Sequence, residues 1–94
     1  MYTDYDRIRR NPEIIHASMG NELVLMSMEN GEYYGINEVG AKIWELLDNE
    51  MEICRLVENL EHIYEVESAT CNRDLRSFLE PMIKKSIFLV SPAS

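Results

Sequence analysis

Apolar positions follow two different periods along this chain, and the change falls at Asn37. Before it, residues 13–19 and 22–28 are short segments rich in Ile, Leu, Val and Met, which is strand composition. The second leads into Glu29, Asn30, Gly31 and Glu32. Asn-Gly is the strongest short hairpin signal, because both central residues of a type I′ turn need positive φ. A third strand is therefore expected over residues 32–36. With Asn30 and Gly31 as a two-residue loop, Met28 should face Tyr33, Ser27 Tyr34, Met26 Gly35 and Leu25 Ile36. Both faces of that hairpin carry apolar side chains, whereas helices need cover only one. Gly35 lowers the side-chain barrier where a second backbone would approach.

After Asn37 the period becomes helical. Asn37 is placed to cap a first helix whose stripe is Val39, Ile43, Leu46 and Leu47, flanked by Trp44 and interrupted at Asp48 and Asn49. Asn49 with Glu52 three residues later resembles a capping box, and Ile53, Leu56, Val57, Leu60 and Ile63 make the apolar face of a second helix. Ser68 is suited to cap a third, with stripe Cys71, Leu75, Phe78, Leu79, Met82 and Ile83. The phase is kept across Pro81, which predicts one kinked helix. Residues 87–90 close the chain as an extended tail. Three strands followed by three helices is an α+β order, compatible with a winged helix-turn-helix-like domain.

Size and charge narrow the function classes. The 94 residues have room for one domain spanning the chain, and 46% hydrophobic against 28% charged residues is globular composition. No apolar run approaches the ~20 residues of a membrane helix, and the first residues have no signal-peptide stretch, so a cytoplasmic protein without membrane contact is expected. Two cysteines, Cys54 and Cys71, read as reduced thiols. A net charge of −8 repels nucleic acid over most of the surface. The basic residues Arg73, Arg76, Lys84 and Lys85 nevertheless cluster on the third helix. His16, His62, Cys54 and Cys71 have no metal-ligand spacing, and no glycine-rich phosphate loop occurs, so neither cofactor nor metal nor catalytic group is expected.

The segment GEYYGINEVGAKIWELLD, residues 31–48, resembles the signature of the PqqD-like family, the RiPP recognition elements. There a hairpin ends in Gly, an aromatic pair, an aliphatic residue and Asn, and a helix carrying Ile-Trp-x-Leu-Leu follows. Asp74, Leu75, Phe78, Leu79 and Met82 match the family's third-helix pattern, and the likeness reaches back through Ile8, Arg10 and Pro12. Within the family, Asn37 to Ala41 and Trp44 to Leu47 are most similar to the stand-alone leader-binding proteins of lasso peptide biosynthesis. Pro81 departs from the pattern, since a helix former is usual there.

The resemblance implies a binding module and not an enzyme. Its partners would be the leader of a ribosomally made precursor peptide and a modifying enzyme, such as a leader peptidase of the transglutaminase-like type. The leader would add as an antiparallel strand beside Glu32, Tyr33, Tyr34, Gly35 and Ile36. Arg73, Arg76, Ser77, Phe78 and Lys84 would form the other wall. Each has a blander reading: the tyrosines as cross-strand packing, Phe78 as core, the basic residues as a solvated helix face. Trp44 is assigned to the core. Three alternatives stand beside lasso leader capture: a chaperone of pyrroloquinoline quinone or other radical-enzyme type, a DNA-binding winged-helix regulator reading a groove with its third helix, and a structural subunit that scaffolds enzymes without touching substrate.

Overall fold

The computed structural model describes residues 3–92. Six strands and three helices follow in the order β1 (Arg7–Arg10), β2 (Ile14–Met19), β3 (Glu22–Ser27), β4 (Tyr33–Ile36), α1 (Glu38–Leu46), β5 (Met51–Glu52), α2 (Ile53–Tyr64), α3 (Ser68–Lys84) and β6 (Phe88–Ser91). The α+β class is as expected, with the antiparallel sheet β2-β3-β4 ahead of the helices. A second antiparallel sheet, β5-β1-β6, joins the two ends of the chain: Arg7–Arg10 pair with Phe88–Ser91, and Arg7 and Ile8 also pair with Glu52 and Met51.

That second sheet changes how α2 begins. Asn49 and Glu52 form no capping box, because residues 51 and 52 are held in β5. Ile53 and Cys54 instead donate their N–H groups to the carbonyls of Asp6 and Asp4, at 3.0 and 2.9 Å. Two of the orphan donors of the first helical turn are thus satisfied by backbone from the N-terminal segment.

Asn37 caps α1 as expected, its Oδ1 accepting the Gly40 N–H at 2.9 Å. An exchange Asn37→Ala is expected to lower stability by about 1 kcal/mol in a chemical melt, since an N-cap acceptor is worth about that. Helix α3 starts at Ser68 itself, with Glu67 in the cap position, and runs without interruption through Pro81. It ends in a Schellman motif. Ser86 takes a left-handed φ of 59° and donates to Ile83, while Ile87 donates to Met82. Asn11 then clasps the turn through its side chain to the Ser86 carbonyl and its N–H to Ile87, which delivers Phe88 to β1.

The β3–β4 hairpin differs in register from the expectation. Leu23 faces Ile36, Val24 Gly35, Leu25 Tyr34 and Met26 Tyr33. Residues 28–31 form a four-residue loop in which Gly31 alone has positive φ, at 72°, and donates to the Ser27 carbonyl at 2.8 Å. Asn30 acts through its side chain, accepting the Glu32 N–H at 2.8 Å, and does not adopt the left-handed backbone a type I′ turn requires. The shift is by two residues, so every side chain keeps its face.

One core joins both sheets to the helices: Ile8, Ile14, Leu23, Leu25 and Ile36 from strands, Ile43, Trp44 and Leu47 from α1 and its end, four residues of α2, and Cys71, Leu75, Leu79 and Met82 of α3. Ile87 and Phe88 complete it. Val39 and Ile63, which the helical period assigned to apolar stripes, are exposed. Trp44 is core, beneath Arg10, whose guanidinium carbon lies 4.6 Å from the indole centroid and whose Nε donates to the Trp44 carbonyl at 2.7 Å. Burial lowers the Arg10 pKa, and Asp48 and Glu45 oppose that shift.

Candidate functional site

Strand β4 pairs with β3 on one side, and the described residues supply no strand on the other. The hydrogen bonds of β3 show which groups that free edge presents. Ser27 donates to Glu32 at 3.0 Å, whereas Met28 donates to Glu13 at 3.3 Å. Odd residues of β3 therefore bond to β4 and even residues to β2, since the ladder alternates. Tyr34 and Ile36, opposite Leu25 and Leu23, turn their main-chain groups inward. Tyr33 and Gly35 turn theirs outward, an N–H and a C=O each, to the open edge.

Side chains divide the same strand between two faces. Tyr34 and Ile36 point to the helices, Ile36 only 8% exposed, while Tyr33 is 71% exposed on the outer face with Gly35. On the helix side α1 packs against the strand, and Phe78 of α3 comes up beside it. Gly40 makes the close approach possible: a Cβ there would lie 2.3 Å from Ile36 Cγ2 and 3.1 Å from the Phe78 ring. Phe78 is held from behind by Phe88, centroids 6.4 Å apart, and Phe88 by Trp44 at 5.8 Å. At the other end of the strand the Lys85 ammonium sits 4.8 Å from the centre of the Tyr34 ring, and the Tyr34 hydroxyl donates to Glu32 at 3.1 Å.

Where β4 ends at Asn37, an apolar pocket of about 470 Å3 opens between the helices. Val39, Ile43, Tyr64, Val66, Leu75 and Phe78 contribute its apolar lining, and Asp74 a charged side chain. Cys71 is there too, but it bonds weakly to the Val57 carbonyl, and burial, with Glu61 and Asp74 adding, pushes its thiol pKa up. A protonated, enclosed thiol is a poor nucleophile. Among the described residues no three His, Cys, Asp or Glu side chains converge as metal ligands would.

The residues expected from sequence do not all meet here. Glu32 to Ile36 form the edge or lead into it, and Phe78 is half-buried against Gly40. Ser77, beside Phe78, is exposed, and its carbonyl lacks the usual helical donor because Pro81 has no N–H. Arg73 and Lys84 are exposed and pair within α3, with Asp74 at 3.6 Å and Glu80 at 3.8 Å. Arg76 lies half a helical turn round from Phe78, bonded to Asp4 of the N-terminal segment and, at 2.7 Å, to Asn72. Its partners hold it on the flank of α3 away from β4. Lys85 lies over Tyr34, and Asp74 lines the pocket beside Asn37 together with Phe78; both are legible as neighbours of Phe78 in sequence, at i+7 and i−4.

The family model of Coenzyme PQQ synthesis protein D (PqqD) matches residues 22–87, and the chain belongs to that family. A solved structure described as TbiB1 in complex with the TbiA(beta) leader peptide is 30% identical, with a TM-score of 0.78. The match covers 85% of this chain and 93% of that one. No curated protein sequence matches the chain. No helix among the described residues is long and apolar enough to cross a membrane.

Proposed function

We propose that this chain is a RiPP recognition element that binds the leader of a ribosomally made precursor by strand addition to β4 and presents it to modifying enzymes, of the lasso peptide type. The observation that carries the reading is the open edge of β4, with the main-chain groups of Tyr33 and Gly35 directed outward, in a chain similar to a protein solved with a leader peptide. An antiparallel leader would exchange hydrogen bonds with those two residues, giving affinity that tolerates sequence change. Its residues opposite Tyr34 and Ile36 would face α3. Residues just before that strand would reach Asn37 and the apolar pocket beyond it, where an aromatic or proline side chain fits.

The chain would act without catalysis or cofactor, with a transglutaminase-like leader peptidase or another modifying enzyme doing the chemistry. Nucleic acid is disfavoured as partner. Arg73, Arg76 and Lys84 are in ion pairs, Lys85 lies over Tyr34, and the net charge is −8. Titrating the full chain with a synthetic leader of the precursor encoded beside it, in a calorimeter, is expected to give micromolar or tighter binding, about −8 kcal/mol. Duplex DNA in the same buffer should give none. A leader that stays unbound at tens of micromolar while its processing complex is active would refute leader capture and leave a scaffolding role.

A further inference from the structure

Three of the four glycines have a reason inside the molecule. Gly20 and Gly31 have positive φ in the hairpin loops, and a Cβ on Gly40 would collide with Ile36. Gly35 has neither reason. Its backbone is ordinary strand, and a Cβ built on it meets nothing within 4 Å. Glycine inside a strand sacrifices both conformational entropy and side-chain packing, so the fold itself would be better served by a β-branched residue here.

The surroundings of Gly35 supply the missing reason. On the outer face of the sheet Ala17, Val24 and Gly35 form one cross-strand row, and Ile15, Met26 and Tyr33 form the next. The row of small residues is a trough beside a ridge of large ones. A depression of about 310 Å3 lies at its β4 end, lined by Val24 and Gly35 with Met19, Glu22 and Asn37 around them and by Leu23 and Ile36 of the same two strands. The trough ends in the open edge, at the residue whose N–H and C=O point outward.

We propose that the bound peptide seats an aromatic side chain in this trough, over Gly35 and against Val24, and that this outer-face contact selects among leaders independently of the groove beside α3. The inference rests on strand addition at β4. In that arrangement the peptide residue opposite Gly35 forms a hydrogen-bonded pair with it and points to the same face. Having no cross-strand side chain beside it, that residue can lean back over the glycine. Aromatic residues cover exposed sheet glycines in this way, shielding their backbone while burying ring surface. Val24 and Met19 offer apolar contact, and Glu22 at the rim is an acceptor for a tyrosine hydroxyl.

Selection of displayed random twelve-residue peptides on the intact chain, and in parallel on Gly35→Val, tests this. On the wild type one peptide position should favour Trp, Tyr or Phe. On Gly35→Val, whose side chain fills the trough, that preference alone should vanish while the other enriched positions remain. For a selected peptide made synthetically, aromatic→Ala should weaken binding about tenfold on the wild type and less than about twofold on Gly35→Val. Val24→Thr, which leaves the trough open but makes its floor polar, should reduce the same preference and guards against a Gly35→Val protein that fails to fold. Identical consensus profiles on the wild type and a folded variant would overturn the proposal and leave strand addition standing. Failure of any peptide to enrich on the wild type would overturn both.

Discussion

Tyr33→Pro should weaken leader binding by about five- to tenfold while moving the melting temperature little, and Tyr34→Pro should do the reverse. The difference follows from a single alternation. The Tyr33 N–H points to the open edge, so proline there removes a donor to the peptide and none to the hairpin. A hydrogen bond of this kind contributes about 1–1.5 kcal/mol. Tyr34 donates inward to β3, and its half-buried ring lies beneath Lys85. Losing both is expected to destabilise the fold by about 2–3 kcal/mol. Tyr33→Ala separates the donor from the exposed ring: it should retain clearly more affinity than the proline variant. Calorimetry with the leader and thermal melts of all three variants give the answer. Tyr33→Pro binding as tightly as Tyr33→Ala would place the peptide elsewhere than on this edge.

Phe88→Ala should produce the largest loss of stability of any substitution considered, about 3–5 kcal/mol, because an aromatic side chain removed from a closed core leaves a cavity as well as lost burial. Phe88 is 1% exposed and stands between Trp44 and Phe78. It also sits at the start of β6, opposite Arg10. In a domain of this size each kcal/mol lowers the melting temperature by about 4–8 °C, so a fall of well over ten degrees is expected. Phe78 would lose its backing on the α3 wall. At temperatures where the variant is still folded, leader affinity should therefore fall too. A variant melting within a few degrees of the wild type would show that the ring row does not anchor β6 to the helices.

The features legible in the chain are those that neighbouring residues decide. The helical stripes of α2 and α3, the cap at Asn37 and a hairpin near Asn30-Gly31 all depend on interactions within a few positions, and apart from the exposed Ile63 they stand where their residue types put them. The family likeness was readable for the same reason, through an ordered run of hairpin and helix residues. Even within the hairpin, though, local chemistry left two solutions. Asn30 suits a left-handed backbone or a side-chain acceptor equally well, and the structure uses the second, which lengthens the loop and moves the register by two.

The remaining features are set by contacts between residues far apart in the chain. The strands β1 and β5, of four and two residues, carry too little pattern to announce themselves, and β1 exists because residues 51–52 and 88–91 come to lie on either side of it. The same assembly diverts Arg76 to Asp4, while the Schellman turn after α3 brings Lys85 over Tyr34. Periodicity shows that α3 has an apolar stripe, but not which flank of that stripe meets β4, because the flank is set by how three helices and two sheets share one core. The role open to Gly35 is of this kind as well. Its residue type is visible in the sequence, but the empty space above it appears only when Ala17 and Val24 are brought into its row.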